Sequence, residues 1–128
     1  MAKIGFVFPG QGSQKQGMLA ELAAENPTLL DTFTRASEVL GKDLWRICQS
    51  DPDSSLDQTE ITQPVLLAAS VAVGTLWLER GGSRPAVMSG HSLGEYSALV
   101  LAGVLAFEDA IAVVHRRGKF MQDAVGPG

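Results

Sequence analysis

The sequence is poor in the residues that most readily announce a function. It holds one cysteine, Cys48, which excludes an internal disulfide and any cysteine-rich metal site. With no histidine near it in sequence, Cys48 reads as a packed thiol on a helix and not as a nucleophile. Lysine and arginine total 10 against 14 carboxylates, so there is no general basic surface and the charge balance argues against nucleic acid as a partner. No His/Cys/Asp/Glu cluster has metal-ligand spacing. The first residues, Met1-Ala2-Lys3-Ile4, run directly into an apolar segment without a signal-peptide pattern. The longest apolar run, Pro64 to Leu78, is interrupted by Ser70, Gly74 and Thr75 and is too short for a bilayer. These absences point to a cytoplasmic protein with no membrane partner.

What is present suits one globular domain. Hydrophobic residues make up 45% of the 128 positions and charged residues 19%, a balance that buries a core and does not stay disordered. Lys3 to Phe8 is apolar without alternation, as expected of a strand buried on both faces. Helices are expected over about Met18–Ala24, Pro27–Leu40 and Leu44–Gln49, with a loop at residues 50–55. A long buried helix is expected from about Gln63 to Glu79, ended by Gly81-Gly82-Ser83. A second strand spans Pro85 to Ser89, a helix follows from Leu93 to about Ala102, and a last helix runs from near Phe107 to before Gly126-Pro127-Gly128. The chain is therefore α/β, with few strands and many helices.

Between the second strand and its helix lies Gly90-His91-Ser92-Leu93-Gly94. Gly-x-Ser-x-Gly between a strand and a helix is the spacing of a nucleophile elbow, in which a strained turn lifts the serine hydroxyl above the sheet. The flanking glycines would avoid collision with the neighbouring strand and helix. A second reading competes: Ser92 to Glu95 also has the spacing of a capping box. The cap explains Ser92 and Glu95 but gives no reason for glycine at both 90 and 94.

A second glycine-rich loop, Gly10-Gln11-Gly12-Ser13-Gln14, follows the first strand. It is not a dinucleotide fingerprint, because Lys15 stands where the third glycine belongs, and it lacks the glycine-lysine pair of a P-loop. It is either a plain turn or a donor loop. In the second case the backbone N–H groups of Gln11 and Leu93 form an oxyanion hole for Ser92, and the two loops face each other at the carboxyl edge of a parallel sheet.

Four segments in order, Phe8 to Gln14, Ile61-Thr62-Gln63-Pro64, Gly90 to Glu95 and Arg117 to Gln122, resemble the malonyl-CoA:acyl carrier protein transacylases of bacterial type II fatty acid synthesis. The acyltransferase domains of polyketide synthases share the pattern more loosely. The resemblance covers the whole chain and implies a helix-rich, α/β-hydrolase-like core with a short parallel sheet and a nucleophile elbow. It implies transfer of a malonyl group from malonyl-CoA to the phosphopantetheine thiol of acyl carrier protein through an acyl-serine. Ser92 then resembles the nucleophile, the Gln11 and Leu93 amides the oxyanion hole, Arg117 the residue that holds the malonyl carboxylate, and Gln63 a pocket residue beside it. Coenzyme A enters as the thioester of the substrate and no cofactor is implied. Taken alone, Arg117 reads equally as a solvated member of the basic cluster Arg116-Arg117-Lys119, and the outer members read either as solvated helix residues or as a docking patch for an acidic carrier protein.

Neither histidine suits the role of base. His91 precedes Ser92 and should leave the strand on the opposite side, and His115 lies about 200° around its helix from Arg117. In the family the catalytic histidine, and a ferredoxin-like subdomain, come later than residue 128. The chain thus reads as residues 1–128 of an incomplete catalytic domain, inactive alone and prone to self-association through uncovered apolar surface. The rival readings are a serine thioesterase or hydrolase, which uses the same elbow, and a non-catalytic fragment that binds carrier protein or coenzyme A.

Overall fold

The computed structural model describes residues 3–125. Its elements are β1 (Gly5–Phe8), α1 (Ala20–Glu25), α2 (Leu29–Leu40), α3 (Leu44–Ser50), α4 (Thr59–Glu79), β2 (Val87–Gly90), α5 (Gly94–Leu101) and α6 (Phe107–Val125). The expected stop at Gly126-Pro127-Gly128, like the start at Met1-Ala2, lies outside the described residues. The two strands pair in parallel, from Gly5 opposite Val87 to Phe8 opposite Gly90. Both therefore deliver their following loops to the same edge.

The organising element is α4. Residues 61–69 are all buried, as are Val71, Ala72 and Gly74, so the first half of the helix is covered on every side and lacks a polar face, while Val73 and Trp77 in its second half are exposed. Helices α2, α3, α5 and α6 pack around it. Leu29, Phe33, Leu44, Leu67, Ile111 and Val114 fill the space between them, and Phe33 meets the Trp45 ring edge-on at 4.9 Å between centroids. Cys48 is buried in this core, and burial pushes its thiol up to about 11, so it is protonated and unreactive near neutrality.

Three expectations need correction. Helix α4 begins at Thr59, a full turn before the expected Gln63. Proline favours the first helical position, but Pro64 here sits inside the helix. The turn before it is held by the Thr62 hydroxyl, which donates to the Leu56 and Gln58 carbonyls. Second, the whole helix has 21 residues and is long and apolar enough by length and composition to cross a membrane. The shorter run Pro64–Leu78 understated it. Of its most apolar window 72% is buried inside the fold, as befits a core helix. Third, β1 is not buried on both faces. Phe6 and Phe8 point inward, Phe6 against the Trp77 ring, while Val7 is 82% exposed and Val87, opposite Gly5, is 64% exposed. Helices cover only one face of this two-stranded sheet among the described residues.

Helix α6 meets the first turn of α4 backbone against backbone. A Cβ on Gly118 would lie 2.6 Å from Glu60 Cα and 2.7 Å from the Thr59 carbonyl oxygen, distances that only the absence of a side chain permits. Gly118→Ala must push the two helices apart and is expected to destabilise the fold by about 1–3 kcal/mol, read as a lower urea midpoint at unchanged slope. An unaltered midpoint would show that the contact is looser than these distances require.

Candidate active site

Strand β2 ends at Gly90, and the chain turns through His91, Ser92 and Leu93 into α5. Ser92 has φ +54°, a left-handed conformation that costs a non-glycine residue on the order of 1–3 kcal/mol. The turn is tight: Gly94 N–H donates to the His91 carbonyl at 3.0 Å and Glu95 N–H to the Ser92 carbonyl at 3.1 Å. Both glycines have steric reasons. A Cβ on Gly90 would fall 2.0 Å from the Gly94 carbonyl carbon, and one on Gly94 would fall 2.3 Å from the Phe8 carbonyl oxygen. The capping-box reading does not describe this turn. Helix α5 starts at Gly94 with Leu93 before it, and no side chain caps it.

The 9–14 loop meets this turn directly. A Cβ on Gly10 would be 2.7 Å from the His91 carbonyl oxygen, and His91 N–H donates to the Phe8 carbonyl at 3.3 Å. The loop is also tied to the start of α4, through Gln11 Nε2 to Thr59 Oγ1 at 3.1 Å and Gln14 Nε2 to Asp57 Oδ1 at 2.8 Å. Within the described residues, neither the Gln11 nor the Leu93 N–H appears as a donor in the turn and loop hydrogen bonds. Leu93 itself is buried, 1% exposed.

Helix α6 brings the charge. Arg117 donates through one terminal nitrogen to Gln63 Oε1 and through the other to Ser92 Oγ, both at 2.9 Å, and its guanidinium lies 5.7 Å from the Tyr96 ring centre, within cation–π reach. Arg117 is half-buried and Ser92 exposed. Among the described residues no carboxylate forms a salt bridge with Arg117. Its neighbours Arg116 and Lys119 are exposed.

Thus Ser92, Arg117 and Gln63 are joined by hydrogen bonds, with the Gln11 loop against the same turn. The histidines are not in that group. His91 faces the 9–14 loop, with its Nδ1 3.3 Å from where a Gly10 Cβ would lie. His115 faces the first turn of α4, its Nε2 3.7 Å from Glu60 Oε2 and without a hydrogen-bond partner. Three contributors were not anticipated: Tyr96, Thr59 and Met121, whose sulfur accepts from Gln63 Nε2 at 3.2 Å. For Met121 helical spacing offered a signal, since it follows Arg117 by four residues on α6. The described residues contain no group of three or more His, Cys, Asp or Glu placed to hold a metal ion.

Residues 5–128 match the acyl transferase domain family. The chain is 57% identical over all its residues to malonyl CoA-acyl carrier protein transacylase of Salmonella typhimurium, and 56% to that of Escherichia coli K12. It spans 41% of the length of each of these relatives. Among solved structures it superposes with a TM-score of 0.95 and 56% identity on a malonyl-transacylase in complex with a type II polyketide synthase acyl-carrier protein, covering 99% of this chain and 41% of that one. An acyl carrier protein S-malonyltransferase from Vibrio cholerae gives the same TM-score and identity, with 99% and 42% covered. These likenesses agree with an α/β fold of many helices and a short parallel sheet.

Burial holds the His115 imidazole below its ordinary value against the opposing pull of Glu60, with Lys119 and Lys42 reinforcing burial. The folded chain therefore takes up this proton less readily than the unfolded chain. His115 adds stability above its unfolded pKa, and that contribution is lost as the pH falls. His115→Gln is expected to flatten the decline of stability between about pH 7 and about pH 5, measured by denaturation at each pH. An unchanged decline would remove His115 from the account.

Proposed function

The chain belongs to the acyl transferase domain family, and on that premise we propose that residues 1–128 form the amino-terminal portion of the catalytic domain of a malonyl-CoA:acyl carrier protein transacylase. The observation that carries this reading is the Arg117 guanidinium, bonded to two neutral oxygens beside the strained serine and unpaired with any described carboxylate. A cation held in that way is suited to an anionic acyl group. Malonyl differs from acetyl by one terminal carboxylate, which a guanidinium grips with two parallel hydrogen bonds.

In this mechanism Ser92 Oγ attacks the thioester carbonyl of malonyl-CoA. The oxyanion forms beside the backbone N–H groups of Leu93 and Gln11, and Leu93 lies at the start of α5, where the helix dipole favours negative charge. The carbon–sulfur bond breaks, coenzyme A leaves as its thiol, and malonyl remains on Ser92 while Arg117, backed by the Gln63 amide oxygen, holds its carboxylate. The phosphopantetheine thiol of acyl carrier protein then attacks the acyl-serine and frees the hydroxyl. Each half needs a group that takes and returns a proton. No histidine among the described residues is hydrogen-bonded to Ser92, so we assign that role to a residue beyond this portion, along with the ferredoxin-like subdomain. Turnover by residues 1–128 alone is accordingly low.

The strand–turn–helix at 87–101 supports an α/β-hydrolase-like core. Exposed Arg116 and Lys119 suit an acidic carrier protein, and the malonyl-transacylase that superposes on this chain is itself bound to such a protein. Coenzyme A serves as substrate carrier, and the enzyme is cytoplasmic. Exposed Val7, Val87 and Phe120, at 82%, 64% and 73%, favour self-association of the 128-residue chain.

Exposure of the complete enzyme to malonyl-CoA is expected to leave a malonyl adduct on the Ser92 peptide, seen by mass spectrometry. An unmodified serine would leave only a binding role, and free malonate in place of malonyl-carrier would make the protein a hydrolase. Arg117→Ala is expected to lower the malonyl-to-acetyl ratio of kcat/KM at least about 100-fold, the worth of two charge-assisted hydrogen bonds. An unchanged ratio would sink the carboxylate clamp. Sedimentation of the 128-residue chain should show mass rising with concentration, and a strict monomer would contradict the apolar-surface argument.

A further inference from the structure

The Gln63 side chain is fully buried, a costly position for an amide unless both ends are hydrogen-bonded. A guanidinium offers only donors, so the amide oxygen must face Arg117. The amide nitrogen is then turned the other way, and its partner is the Met121 sulfur at 3.2 Å. Met121 stands one helical turn beyond Arg117 on α6, so one helix supplies both the guanidinium and the group that secures its neighbour. Pro64, next in the chain, has no backbone N–H to contribute.

We infer that Met121 is a positioning residue: its thioether sulfur anchors the buried Gln63 amide, and the amide carbonyl in turn fixes the Arg117 guanidinium for an acyl carboxylate. The inference rests on the reading of Arg117 as the carboxylate clamp. Leucine at 121 fills nearly the same volume but accepts no hydrogen bond, and the buried Gln63 NH₂ is left without a partner. The amide then holds Arg117 less firmly. Acyl groups without a carboxylate make no use of that placement, so the effect separates by substrate, which a general loss of packing would not.

The test is steady-state transfer by the complete enzyme with malonyl-CoA and acetyl-CoA. Met121→Leu is expected to lower the malonyl-to-acetyl ratio of kcat/KM about fivefold, near the worth of one neutral hydrogen bond, mainly through a raised KM for malonyl-CoA. Gln63→Glu accepts from Arg117 with either oxygen and has no NH₂ to anchor. Adding Met121→Leu to it is therefore expected to leave the ratio where Gln63→Glu alone set it. Equal losses with both acyl groups, or the same fivefold drop in the Gln63→Glu background, would overturn the role of Met121. The two readings fail separately: an Arg117→Ala enzyme with an unchanged ratio rejects the clamp itself, whereas a lowered ratio there beside an unchanged one in Met121→Leu rejects only the positioning residue.

Discussion

Backbone approaching backbone at glycine is the constraint from which the site is built. Gly94 sets the start of α5 against the Phe8 carbonyl, Gly90 lets the elbow fold onto its own helix, and Gly118 lets α6 lie on the first turn of α4. Each contact is too close for a Cβ. Together they fix three segments that are distant in sequence at separations that side-chain packing alone would not reach. Arg117, beside Gly118, is carried into hydrogen-bond range of Ser92 and Gln63 as a result. The core of α4 and its surrounding helices then holds this geometry by apolar burial.

The charge pattern at the site follows from that placement. Arg117 is anchored by an amide oxygen, a hydroxyl and an aromatic face, none of which carries a negative charge. A cation with neutral partners is oriented without being neutralised, and its field stays available to a ligand. Gln63 is the member that water does not reach, so its two hydrogen bonds govern how firmly the guanidinium is aimed. The 9–14 loop is held to the same turn of α4 through Gln11 and Thr59, so that loop and the helix that carries Arg117 share one foundation.

The elbow was legible in the sequence because both its glycines answer to local geometry: Gly-x-Ser-x-Gly between a strand and a helix already contains the collisions it avoids. The proximity of the Gln11 loop was legible from the parallel-sheet rule, since both strands point their carboxyl ends the same way. The start of α4 was not. The helix was expected from about Gln63, and the Thr62 hydroxyl bonds hold the turn before Pro64 that carries it back to Thr59. The exposure of Val7 was hidden too, because an apolar run reports composition and not how many layers cover it. Met121 left a four-residue helical spacing behind Arg117, but that spacing becomes informative only once the facing helix is known.

The left-handed backbone of Ser92 sets the proposed role of its hydroxyl and the robustness of the turn against each other at one residue. Glycine would adopt the same φ without strain, and the turn around it would relax. The hydroxyl that Arg117 engages belongs to a side chain that the turn tolerates only under load. With Ser92 as the proposed nucleophile, fold stability and the need for a hydroxyl at residue 92 therefore pull in opposite directions, and the helices packed around α4 supply the surplus stability that carries the strain.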